Sequence, residues 1–131
     1  MAFNLNKLST KDLFTLQLED PETEVKLVDD EGNAVTVDIY GPGSQVVRNA
    51  TLALQNRQLK RGKKQMSAEL LREESIELLA SAIAGSANLE YNDKAPKSNA
   101  DWIELLSDPN LEWIKDQIAA AQNDVSNFLP K

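Results

Sequence analysis

Apolar residues change their spacing at Gly41-Pro42-Gly43, and that switch divides the chain into a β half and an α half. Before it, Phe14, Leu16 and Leu18 alternate with Thr15, Gln17 and Glu19, and Val35, Val37 and Ile39 alternate with Thr36, Asp38 and Tyr40. A period of two is the mark of a strand with one buried face. Val25 to Val28 reads as a further short strand between them. Asp20-Pro21-Glu22-Thr23 supplies a turn, because proline fixes φ and aspartate caps turns. Asp29-Asp30-Glu31-Gly32-Asn33 supplies a hairpin loop in which Gly32 or Asn33 takes positive φ. Residues 13–40 are therefore expected to form an antiparallel meander with one apolar face.

After the switch the apolar spacing becomes three and four. Ser44 is a candidate N-cap for a helix over 44–61, with Val47, Ala50 and Leu54, joined by Val46 and Ala53, as its stripe and Gly62 as its stop. Ser67 opens a helix over 67–84, with Glu69 in the first turn and Leu71, Leu78, Leu79, Ala82 and Ile83 as its stripe. Residues 86–98 are polar, carry Pro96 and read as a loop, with 88–91 extended. Ser98 and Asp101 have the spacing of a capping box before a helix over 99–106. Pro109 suits the first position of a last helix over 109–128. The expected fold is α+β, one domain over 1–131: a small meander packed against three to four helices. Phe14, Leu16, Val35, Val37 and Ile39 are expected to be buried with Leu54, Leu78 and Leu79.

A chain of 131 residues is long enough for one real core, and with aromatics at 5% that core must be mainly aliphatic. There is no cysteine and no histidine, which removes disulfides, thiolate ligands and the commonest metal ligand and general base. The acidic hairpin lacks the alternating aspartates of a calcium loop, and no phosphate loop or nucleophile elbow occurs. Neither an enzyme nor a cofactor is expected. The net charge of −7 disfavours nucleic acid and anionic membrane surfaces. No window approaches ~18 apolar residues, and the first residues lack the apolar run of a secretory signal. A soluble cytoplasmic protein that acts by binding other proteins is the expectation.

Two stretches are candidates for that binding. Leu111, Ile114, Ile118, Ala121, Val125 and Phe128 recur at spacings of three and four, with Trp113 beside them. Such a seam either closes the domain's own core or receives a partner helix or a second copy. In the second case Leu111, Trp113, Ile114, Ile118 and Phe128 are the contact residues, beside a flat run of Ala119, Ala120 and Ala121. The other stretch is basic: Arg57, Lys60, Arg61, Lys63 and Lys64 lie within eight residues of an acidic chain. It reads as a solvated helix end or as a contact for an acidic protein surface; nucleic-acid binding is a third reading, disfavoured because no aromatic residues interleave and the rest of the surface repels phosphate. The acidic surface could be the chain's own, since Glu19, Asp20, Glu22, Glu24, Asp29, Asp30 and Glu31 cluster on the strand side. Copies would then stack head to tail.

The order of these features resembles the tail assembly chaperones of long-tailed, siphovirus-type bacteriophages. The resemblance runs through Leu18-Glu19-Asp20-Pro21-Glu22-Thr23, then Gly41-Pro42-Gly43-Ser44 opening a helix that ends in basic residues, then Ser67-Ala68-Glu69. It continues from Leu105-Leu106-Ser107-Asp108-Pro109-Asn110-Leu111-Glu112-Trp113-Ile114 to Asn127-Phe128-Leu129. It implies a protein of the host cytoplasm that binds the tape measure protein, helps bring tail tube subunits to it and is absent from the finished virion. It also implies a second, longer product made by a programmed −1 frameshift, with Pro130-Lys131 as a dipeptide that slippery codons can encode. The alternative class is a structural virion part, such as a head–tail connector or a minor tail protein.

Overall fold

The computed structural model describes residues 2–62 and 67–129. Three strands, β1 (Leu13–Gln17), β2 (Thr36–Tyr40) and β3 (Ile83–Ala87), form an antiparallel sheet in the order β1-β2-β3. Four α-helices follow or interrupt them: α1 (Gln45–Arg61), α2 (Ala68–Ser81), α3 (Asn99–Ser107) and α4 (Glu112–Asn123). Short 3-10 turns cover Leu5–Leu8, Pro109–Leu111 and Val125–Phe128. The α+β class read from the sequence is the class of this fold.

The alternation places side chains as expected on the central strand. Val37 and Ile39 are fully buried, while Thr36, Asp38 and Tyr40 face the other side. β1 pairs with β2 in the register Phe14↔Ile39 and Leu16↔Val37. On the outer face Thr15 Oγ1 donates to Asp38 Oδ1 of its cross-strand partner at 2.6 Å. Phe14 and Leu16 are half-buried rather than buried, because β1 is an edge strand with a neighbour on one side only.

The sheet differs from the expected meander in its third member. Residues 25–28 form no strand; they make the isolated bridges Glu19↔Lys26 and Val28↔Ala34 and single backbone bonds through Leu27 to Leu18 and Val35, and Val25 and Val28 are exposed. Turns on both sides leave too little chain for a ladder. The Asp20 carboxylate accepts the N–H groups of Glu22 and Thr23, and the Asp29 carboxylate accepts those of Glu31 and Asn33. Gly32 takes the positive φ that the hairpin requires, at 85°.

The second edge of β2 is instead covered by β3. α2 stops at Ser81, three residues before its expected end, and the Tyr40 N–H bonds to the Ala82 carbonyl. The chain then runs along β2, with Ile39 opposite Ile83 and a register irregularity at Asp38/Ile39. Ile83-Ala84-Gly85-Ser86-Ala87 is poor in strand-forming side chains, so only its contact with β2 makes it a strand.

Helix starts follow the sequence closely. Ser44, Ser67 and Ser98 accept the N–H groups of Val47, Leu70 and Asp101, and Asp101 returns the capping box by accepting the Ser98 N–H. Gly62, with φ of 78°, ends α1. The expected helix over 109–128 is three pieces, because Asp124 adopts extended backbone and its carboxylate accepts the Ser126 N–H. In α2 Ile76 is buried and Leu71 is exposed, which rotates the core stripe from the expected one. Leu54 and Leu78 are half-buried, and Leu79 is buried.

The core lies between one face of the sheet and α2, α3 and α4. Leu18, Val37 and Ile39 meet Ile76 and Leu79, then Trp102, Leu105 and Leu106, then Ile114 and Ile118. Phe128 closes one end, its ring 5.9 Å from that of Phe14 in an edge-to-face arrangement. Val47 is the one buried residue of α1.

Candidate protein-binding surface

α1 is held by one helical neighbour, and its two faces differ in consequence. The inner face carries Val47, Ala50, Leu54, Gln58 and Arg61, all buried or half-buried. The outer face carries Gln45, Asn49, Leu52, Asn56 and Leu59, spaced four and three apart and all exposed. Leu52 and Leu59 retain 57% and 80% of their accessible surface. The polar members of this strip bond along the helix: Gln45 Nε2 donates to Asn49 Oδ1 at 2.7 Å and Arg48 donates to Gln45 Oε1 at 2.6 Å. α1 carries Arg48, Arg57, Lys60 and Arg61 and no acidic residue, in a chain of net charge −7. An exposed leucine pair on a cationic helix is a surface on which an amphipathic, acidic helix can lie.

The basic run divides. Arg61 is turned inward: Nη1 and Nη2 donate to both carboxylate oxygens of the buried Glu74 at 3.1 and 2.9 Å, and Gln58 adds a longer bond. The paired donors of Arg61 hold the Glu74 carboxyl below the usual carboxylate range. Arg57 donates to Glu77 at 2.8 Å. Arg61 is thereby committed to the α1–α2 contact, contrary to the expectation that it serves a partner, whereas Arg57 pairs with Glu77 at the surface and stays exposed. Lys60 is exposed. Lys63 and Lys64 lie outside the described residues.

The C-terminal seam divides too. Ile114, Ile118 and Phe128 are inside the core, so in this fold they are not a contact surface. The spacing of three and four is satisfied by the domain's own sheet and helices at these positions, while Val125 is left exposed. Leu111 and Trp113 are half-buried against the core. Ala121 is buried, Ala119 half-buried and Ala120 exposed, so the alanine run is not one flat face.

Gln117 on α4 has a role that spacing did not reveal. Its Nε2 donates to the Glu19 carbonyl at 2.8 Å, and its Oε1 accepts the Glu19 N–H at 2.9 Å. The side-chain amide thus takes the place of a strand neighbour just past the end of β1. The available signal was an uncharged polar residue set inside an apolar seam.

Among the described residues, no group of three or more aspartates or glutamates is arranged to hold a metal ion. The carboxylates of the acidic hairpin cap their own turns; the pKa values of Asp20 and Asp29 are lowered, first by the backbone N–H groups of Thr23 and of Asn33. Among the same residues no helix is long and apolar enough to cross a membrane. The chain matches no protein-family model, no curated protein and no solved structure.

Proposed function

We propose that this chain is a tail assembly chaperone of a long-tailed bacteriophage. It binds the tape measure protein in the host cytoplasm, helps bring tube subunits to it and stays out of the finished virion. The order of sequence features from Leu18 to Leu129 supports the family. The observation that carries a binding role is the outer strip of α1, where Leu52 and Leu59 stand exposed on a helix without acidic residues. A tape measure protein is a long helical client, and a helix docked along α1 would cover both leucines. Half-buried Leu111 and Trp113 are a secondary contact at most; Ile114, Ile118 and Phe128 serve the fold.

The test is co-purification of tagged chain with the tape measure protein from infected cells. The double variant Leu52→Asp/Leu59→Asp is expected to keep the wild-type melting temperature, since both side chains are in water already, and to lose the client. Retention of the client by that variant would remove α1 as the surface. Mass spectrometry of purified particles tests the family: the chain is expected to be missing, and its presence at stoichiometric level would make it a structural virion part. The nucleotide sequence tests the longer −1 product through the reading frame that follows codon 131.

A further inference from the structure

We propose that the N-terminal arm, residues 2–11, docks in the groove between β1, the acidic turn after it (residues 19–24) and α4 of a second copy of this chain. The arm is apolar yet unpacked. Phe3, Leu5 and Leu8 retain 63%, 76% and 56% of their accessible surface, and the 3-10 turn Leu5–Leu8 buries nothing. Three large apolar side chains within six residues, all in water, are a surface awaiting a partner. The arm also carries Lys7 and Lys11 and no acidic residue.

The groove has the complementary chemistry. It is an open concavity of about 640 Å³, with Leu16 and Ala120 in its lining and Glu19, Asp20, Glu24 and Asp124 around them. Its cation, Lys26, is already paired with Glu19 at 3.5 Å. Apolar side chains can enter while Lys7, away from the pinned root, meets the carboxylates.

The arm does not enter the groove of its own chain: Phe3, Leu5 and Leu8 all stand exposed. Backbone bonds from Lys11 to Phe128 and from Gly41 to Asp12 pin the arm's root, and Thr10 lies against Gly43. The arm therefore leaves at the start of β1, beside the β2–α1 junction. Glu19, Asp20 and Glu24 lie past the other end of that strand, roughly 16 Å away for five residues. A fully extended arm of ten residues spans roughly 33 Å, ample for crossing to a neighbouring molecule. The contact needs nothing but the purified chain, so it stands or falls apart from the chaperone role.

Sedimentation velocity on purified chain reads it directly. Wild type is expected to sediment above monomer mass, increasingly with concentration and less at high salt. Leu5→Asp/Leu8→Asp in the arm and Ala120→Arg in the groove should each give monomers with unchanged circular dichroism, since all three positions are exposed. Glu24→Lys on the groove rim replaces Ala120→Arg should the latter misfold. The decisive sample is an equimolar mixture: the arm variant keeps an intact groove and the groove variant an intact arm, so a heterodimer is expected although neither assembles alone. A monomeric wild type at every concentration, an arm variant that assembles like wild type, or a mixture that stays monomeric would each overturn the proposal.

Discussion

Gly41 is the residue at which sequence and packing meet most tightly. The sequence marks it as the end of the sheet, and the structure adds a reason for the missing side chain. A Cβ at Gly41 would lie 2.9 Å from Cδ1 of Phe128, whose ring closes the core and touches Phe14. Gly41→Ala should therefore push Phe128 outward and cost about 1–3 kcal/mol, the usual range for overpacking. Thermal unfolding of Gly41→Ala against Gly43→Ala separates this from a loss of backbone freedom, because a Cβ at Gly43 meets only Thr10 at 3.6 Å. Equal melting temperatures for the two variants would contradict it. Gln117 belongs to the same scale. Its bonds with Glu19 were illegible because hydrophobic spacing says where a side chain lies on a helix, not which backbone group crosses to meet it.

At the scale of elements, what was legible depended on whether a segment carries its own signal. β1, β2 and the starts of α1, α2 and α3 declare themselves through alternation and capping serines. β3 does not, since Ala84, Gly85, Ser86 and Ala87 have no strand preference and take their form from β2. α4 was legible as a helix and ambiguous as a surface. Its seam has one periodicity whether it faces a core or a partner, and only the placement of Ile114, Ile118 and Phe128 against the sheet decides it. Ile118→Asp should therefore unfold the domain, losing more than the about 2–5 kcal/mol expected of truncation to alanine, because a carboxylate would be buried without a partner. Circular dichroism and urea denaturation check this. A folded Ile118→Asp protein that merely loses its client would restore the seam as a docking face. The outer strip of α1 was missed for the converse reason: Leu52 and Leu59 are too sparse to stand out, and they become visible only once the inner face is known to rest on α2.

For the whole molecule, charge sets how stability should vary with pH. Asp20, Asp29, Glu74, Asp101, Glu112 and Asp124 all have carboxyls held below their ordinary values, by backbone N–H groups for Asp20, Asp29 and Asp101, by Arg61 for Glu74, by Lys115 for Glu112 and by Ser126 for Asp124. A carboxyl with a lowered folded pKa binds fewer protons in the folded state than in the unfolded one. Its contribution is complete above the unfolded value, 3.8 for Asp and 4.5 for Glu, and is lost as pH falls through the folded value. On the alkaline side Tyr91 has the opposite sign: its bond to Asp108 raises its pKa, so its contribution is complete below 10.0 and lost as pH rises through the folded value. Between these limits no histidine or cysteine is present to titrate. The melting temperature should therefore be nearly level from about pH 5.5 to 9 and fall on acidification below about pH 4.5. Glu74→Gln should lower the plateau, because Arg61 loses its carboxylate, and should also flatten the acid limb, because one of the groups that generate it is gone. A step in melting temperature between pH 6 and 7 would contradict the level plateau, and an acid limb unchanged in Glu74→Gln would show that the Arg61–Glu74 pair does not couple folding to protons in this way.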